Sequence, residues 1–213
     1  MSLLNPDGKT MGLYFPPGLP ERGGSCAFAS MRCLVNCLSY LSHNTITDYT
    51  EDVFKTKTPK EIAAIIKKEL GRGKPPLIEW FCWGDCMPNM TDKVLAVMKA
   101  LSAMGFVQCG FTRNKLLWTE CSGLTNIRMG YTTEDFDEID GLAKSGLVAY
   151  PNYDTGETRL YWGTHKAELP SALCGSSFMS DRATGISYEA DCSVCYARKR
   201  GCFTDFVYKK VTR

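Results

Sequence analysis

The sequence predicts an α/β fold: a partial, TIM-like (β/α) barrel with a small C-terminal cysteine-rich module held together by metal. Three observations carry this. Short runs rich in β-branched and aromatic residues alternate with amphipathic helical segments, the pattern of parallel strands joined by crossover helices. Five or six such units fit into about 160 residues, whereas a complete eight-fold barrel needs about 250. From Pro170 onward the periodicity stops and cysteine accumulates. The expected division is residues 1–169 for the barrel and 170–213 for the module packed on it. A flat doubly wound sheet is the competing architecture.

The elements follow in order. MGLYFPP reads as a strand over Met11–Phe15, closed by Pro16 and Pro17, and the Gly-rich GLPERGG loop follows it. Met31, Leu34, Val35, Leu38 and Leu41 recur at helical spacing. Thr58, Pro59 and Glu61 supply a cap, a first-turn proline and a capping-box acid. The helix they open carries Ile62, Ile65, Ile66 and Leu70, and Gly71 ends it. Leu77–Trp83 reads as a strand. Thr91 is expected to cap a helix bearing Val94, Leu95, Met98 and Leu101, ended by Gly105. Strands are expected over Phe106–Thr112 and Thr125–Tyr131. Thr133 is expected to cap a short helix with Phe136, Ile139 and Leu142. Two further strands are expected over Leu147–Tyr150 and Arg159–Gly163.

Composition excludes several functions. At 213 residues the chain buries a full core without disulfides, and a net charge of +2 marks neither a nucleic-acid binder nor a membrane binder. No apolar run spans a bilayer, and MSLLNPDGKT lacks an apolar signal region. The expectation is therefore a cytoplasmic protein with reduced thiols and no membrane partner. With only His43 and His165, catalysis by a Cys–His or Ser–His pair and His-rich zinc sites are disfavoured.

Seven of the eleven cysteines fall into two groups. Cys26, Cys33 and Cys37 form the first. Thiolates are soft ligands suited to zinc or iron–sulfur clusters, and a cluster needs several sulfurs at one point. Cys33 and Cys37 stack about 5–6 Å apart on a helix. On one straight helix Cys26 would lie about 16 Å from Cys37, so a shared centre requires a loop from Cys26 to about Met31 that folds back. Such a loop leaves the carboxyl end of the first strand, where (β/α) proteins place their chemistry. Three thiolates leave one iron of a [4Fe-4S] cluster open to a ligand. The plain alternative is three small packing residues on a core helix.

Cys174, Cys192, Cys195 and Cys202 form the second group, with a CxxC pair at Cys192 and Cys195. Four thiolates in this pattern close a tetrahedral zinc site or hold a second cluster. In the strand over Leu77–Trp83, Glu79 shares a face with Leu77, Phe81 and Trp83, and Asp85 continues that face. Ile78, Trp80 and Cys82 share the face that helices would cover. Glu79, Gln108, Thr112 and Arg128 would then point inward. They would line a ligand cavity, or Glu79 and Arg128 would fill it as an ion pair.

The order of the cysteine trio, Gly84-Asp85 in WFCWGD, Phe111-Thr112 in CGFTRN and the cysteine tetrad resembles a cysteine-rich phage protein family known as gene product eighty-eight. That resemblance covers about Met11 to Phe203 and implies a protein working in the host cytoplasm. The architecture is also similar to that of radical S-adenosylmethionine proteins, whose three cluster cysteines follow the first strand of a partial barrel. In those proteins a Gly-rich acidic motif ends the second strand near the methionine moiety, where Gly84-Asp85 stands here. The spacing in this chain is CxxxxxxCxxxC, against CxxxCxxC in that class. The resemblances imply an iron–sulfur protein, with S-adenosylmethionine or another small molecule as ligand and redox or radical chemistry. The second reading is a zinc-stabilised, non-catalytic protein that binds a host protein or nucleic acid.

Overall fold

The computed structural model describes residues 1–7, 10–37, 45–71, 77–153, 157–161, 171–173, 187–189 and 209–211. It is α/β, with strands interleaved with helices, and it divides into two compact units, Met1–Met129 and Gly130–Arg213.

In the first unit β1 (Asn5–Asp7) turns back antiparallel onto β2 (Thr10–Tyr14). β2 then pairs in parallel with β3 (Leu77–Trp83), and β3 in parallel with β4 (Val107–Thr112). Parallel neighbours need a crossover, because their ends lie at opposite edges of the sheet. Between β2 and β3 come α1 (Met31–Val35), α2 (Thr45–Thr56) and α3 (Pro59–Glu69). α4 (Thr91–Ala103) links β3 to β4, and α5 (Lys115–Cys121) follows β4. The strands of this unit lie side by side in chain order.

α3 forms as its sequence predicts. Thr58 Oγ1 accepts the Glu61 amide at 3.3 Å, and the Glu61 carboxylate accepts the Thr58 amide at 2.8 Å. Ile62, Ala63 and Ile66 are fully buried beneath it. Its last residue anchors the start of the chain. The Glu69 carboxylate accepts the amides of Leu3 at 3.0 Å and Leu4 at 2.7 Å, and the Ser2 hydroxyl at 2.9 Å. Leu3 and Leu4 are buried.

The helix-covered face of the sheet carries a chain of rings. Phe15 meets Phe54 of α2 at 5.0 Å and Phe81 at 5.2 Å between centroids, and Trp80 meets Phe54 at 6.1 Å and Phe81 at 5.9 Å. Trp80 and Phe81 are adjacent, so regular alternation would send them to opposite faces. They share one because Phe81 takes φ +58°. The register records the bulge: Gly12 faces Glu79 and Tyr14 faces Trp83, two steps on β2 against four on β3. A bulky residue at positive φ costs about 1–3 kcal/mol, and burying a phenylalanine ring returns about 1.5–3 kcal/mol. This corrects the expected placing of Phe81 beside Glu79. On the opposite face Thr10 donates to Glu79 at 2.9 Å, and Tyr14 packs edge-on to Trp83 at 5.1 Å.

Gln108 also departs from expectation. It is fully buried, accepts Trp80 Nε1–H at 3.0 Å and donates to the Met98 carbonyl of α4 at 2.9 Å. It therefore faces the helices and not an interior cavity. Thr91 does not cap α4, because the preceding residue in the N-cap position is Met90 and makes no side-chain cap bond. The apolar stripe from Met31 yields, within the described residues, only the five-residue α1. That helix buries nothing, and Met31 and Val35 are 71% and 79% exposed. Leu38 and Leu41 lie outside the described residues.

In the second unit β5 (Ile127–Thr132), which begins before the boundary, pairs in parallel with β6 (Leu147–Asn152) through α6 (Ile139–Ala143). Thr133 accepts the Asp135 amide at 3.1 Å and so shapes the approach to α6 without capping it. Beyond β6 the expected βα alternation stops. β7 (Glu157–Tyr161) and β8 (Ser171–Leu173) each pair antiparallel with the strand before. β9 (Ser187–Glu189) and β10 (Lys209–Val211) form a separate antiparallel pair. Among the described residues no helix is long and apolar enough to cross a membrane.

The capping box makes the first test. Thr58→Ala removes the hydroxyl acceptor of the Glu61 amide, and should lower stability by about 1 kcal/mol in urea unfolding. An unchanged midpoint would mean that solvent replaces the cap at no cost.

Candidate functional site

The carboxyl ends of β2, β3 and β4 meet around one buried carboxylate. Asp85 follows β3 by two residues and is 5% exposed. Its Oδ1 accepts the Cys86 amide at 2.7 Å and the Thr112 hydroxyl from the end of β4. Its Oδ2 accepts the Arg113 amide at 2.8 Å. Burial pushes the Asp85 carboxyl above its ordinary value, while the Thr112 hydroxyl, the two amides and the Arg113 charge pull it down. The partners are those of an ionised carboxylate. Thr112 Oγ1 already accepts the Asn114 amide at 3.0 Å, so its proton is free to point at Asp85.

Asp85 also holds the loop after β2. Its amide donates to Ser25 Oγ at 2.9 Å, and Ser25 Oγ donates to the Pro16 carbonyl at 2.8 Å. The Ser25 amide reaches the same carbonyl at 2.8 Å, and the Cys26 amide reaches Gly18 O at 2.8 Å. Gly84 makes room for this. It sits at φ +71°, and a Cβ there would lie 2.5 Å from Ser25 Oγ and 2.7 Å from the Phe15 carbonyl. Gly84 and Asp85 thus join the ends of three strands. Asn114 extends the network, donating to Thr91 Oγ1 at 2.7 Å and the Cys86 carbonyl at 3.3 Å while its Oδ1 caps α5 through the Leu117 amide at 3.1 Å.

Cys26 therefore lies on a fixed loop. The chain from Cys26 folds back as a turn, with the Ala29 amide on the Cys26 carbonyl at 3.1 Å, and α1 begins only at Met31. The helical pattern runs on past α1, with Asn36 N–H on Arg32 O at 3.2 Å and Cys37 N–H on Leu34 O at 3.3 Å. Cys33 is thus in α1 and Cys37 lies two residues past its end. All three are free, half-buried thiols. Burial pushes the Cys26 thiol up to about 12, and the nearby charges of Asp85, Cys33 and Cys37 push in the same direction. Among the described residues no three Cys, His, Asp or Glu side chains are gathered closely enough to hold a metal ion.

The other predicted residues lie apart from this edge. Glu79 is half-buried in the middle of β3, bonded to Thr10. Arg128 on β5 donates to the carbonyls of Thr125 at 2.9 Å and Ile127 at 3.1 Å, so the expected Glu79–Arg128 ion pair gives way to backbone contacts. Cys174, Cys192, Cys195 and Cys202 lie outside the described residues. Sequence reasoning missed Ser25, which had no motif to mark it, and Asn114, which two residues past a strand and ahead of KLLW was a readable cap signal. Comparison with protein-family models, with curated proteins and with solved structures returns no match.

Two predictions follow from this edge. Gly84→Ala must strain a left-handed residue and displace Ser25, and should cost about 2 kcal/mol or more in denaturant unfolding. A loss near zero would show that the loop shifts freely. The second concerns alkali. Cys26, Cys86 and Cys121 are each pushed up to about 12, first by burial. The unfolded chain releases these protons from about pH 9, while the folded chain keeps them. Their contribution to stability is therefore whole below pH 9 and is lost as pH rises toward 12. Under reducing conditions, Cys121→Ala should show a shallower fall of stability between pH 9 and 11 than the unaltered chain. Parallel curves would mean the thiol titrates normally.

Proposed function

We propose that the protein binds an iron–sulfur cluster through Cys26, Cys33 and Cys37 at the carboxyl edge of its parallel strands, as a phage-type protein of the host cytoplasm. The observation that supports this most is the turn at Cys26. A shared centre required that segment to leave the helix and fold back, and it does so: the Ala29 amide closes a turn on the Cys26 carbonyl at 3.1 Å, and α1 begins only at Met31. The chain-order parallel strands β2, β3 and β4 are compatible with the partial (β/α) barrel of the radical S-adenosylmethionine class. In this reading an open iron faces a small ligand, S-adenosylmethionine being the first to test, and the cluster supplies the redox or radical reactivity. The chain's residues supply sulfur ligands, a fixed loop and a buried anion nearby. Gathering the sulfurs requires α1 to move toward Cys26. Nothing opposes this strongly, since α1 buries no residue. The terminal tetrad Cys174, Cys192, Cys195 and Cys202 would hold a second cluster or zinc.

Anaerobic purification tests the reading. The protein should be brown and contain iron and acid-labile sulfide, and Cys33→Ala should lose the iron of the first centre while its circular dichroism stays near that of the unaltered chain. Colourless protein carrying stoichiometric zinc after iron-replete expression would favour the zinc-stabilised binding protein. Full iron retained in Cys33→Ala would move the cluster to the terminal cysteines.

A further inference from the structure

The three thiols are held very unequally. Cys26 follows Ser25, which is 3% exposed and fixed at three points: its hydroxyl takes the Asp85 amide and gives to Pro16 O, and its amide gives to the same carbonyl. The Cys26 amide is itself bonded to Gly18 O. Gly24 closes the loop so tightly that a Cβ on it would lie 2.1 Å from the Gly18 carbonyl. Cys33, by contrast, rides on the five-residue α1, which buries nothing, and Cys37 lies two residues past its end. Its capping bond is local, from the Cys33 amide to Ser30 Oγ at 3.0 Å.

We propose that Ser25 is the positioning residue of the thiol site, bonded to the Asp85 amide so that the Cys26 sulfur is preset and the segment bearing Cys33 and Cys37 swings onto it when a thiophilic metal ion binds. This rests on the reading of the trio as metal ligands. The physical ground is preorganisation. A ligand already in place costs no ordering entropy when the ion arrives, whereas each mobile ligand does. Groups that orient a metal ligand without touching the metal typically change affinity by about 10–100-fold when removed. Ser25 differs from an ordinary packing residue in a testable way. Its loss should change metal affinity by more than it changes the fold.

Cobalt(II) serves as the probe, titrated anaerobically into the reduced full-length chain and followed by its thiolate-to-cobalt absorption. Ser25→Ala should bind about 10–100-fold more weakly than the unaltered chain, with the same charge-transfer spectrum at saturation because the ligands are unchanged. Ile62→Val, in the core of α3 and away from the loop, lowers the unfolding midpoint and should leave cobalt affinity unaltered. Hydrogen exchange on the unaltered chain gives a second reading, independent of whether Ser25→Ala folds. The Cys26 amide should be protected before cobalt is added, and the amides from Cys33 to Cys37 should gain protection only afterwards. Equal cobalt affinity in Ser25→Ala, or a Cys26 amide that exchanges as fast as those of α1 in the metal-free chain, would overturn the positioning role while leaving the metal reading intact. An unaltered chain that takes up no cobalt would overturn both, and is told apart by that first titration.

Discussion

A carboxylate cannot be taken out of water alone, and the arrangement of the first unit answers that constraint at Asp85. Its oxygens take the hydroxyl of Thr112 and the amides of Cys86 and Arg113, and its amide takes Ser25. These partners come from the end of β4, the start of the segment after β3 and the loop after β2. Hydrogen bonds to a charged group contribute about 1.5–3 kcal/mol each, and leaving such a charge unpaired costs about 3–5 kcal/mol. The ends of three strands are therefore held by one residue, β3 and β4 through its carboxylate and the loop after β2 through its amide. The glycine before it, whose missing Cβ admits Ser25 and Phe15, belongs to the same device.

What could be read from the sequence was whatever a local signal encodes. The capping box at Thr58 and Glu61, the strand over Leu77–Trp83 and the helix closed by Gly105 follow from short-range chemistry, and each stands where expected. α2 escaped because TITDYTEDVFKT is rich in β-branched residues, and four of its residues, Thr47, Thr50, Val53 and Phe54, are buried. Packing of Phe54 onto Phe15 and Trp80, and a Lys93 ammonium on the Phe54 carbonyl at 2.8 Å, hold it instead. The faces of β3 were misread beyond Trp80 because period-two alternation assumes an unbroken strand, and no residue type announces a positive φ at a phenylalanine. The antiparallel pairing of β6 with β7 had no signal in the sequence, because strand spacing alone does not give strand direction.

The site was legible as chemistry and less so as architecture. The turn at Cys26 follows from helix geometry, since one straight helix would hold Cys26 and Cys37 too far apart to share a centre. Gly84 and Asp85 stood out by composition, but their part in tying strand ends depends on Ser25, Thr112 and Arg113. Those residues are 60, 27 and 28 positions away in sequence, and no local pattern links them. Alternation along β4, by contrast, overstated the polar lining, since Gln108 serves the buried indole of Trp80.

The grip of Glu69 on Leu3 and Leu4 bears on the order of assembly. The partners are 66 and 65 residues apart, so Leu3 and Leu4 have no place to go until α3 is complete. Contacts of such long range form late and slow the search for the native state. During synthesis Leu3 and Leu4 stay exposed while three helices are made behind them. This is the interval in which a nascent chain meets chaperones or aggregates. The segment that precedes β1 is therefore secured by chain made 65 and 66 residues later.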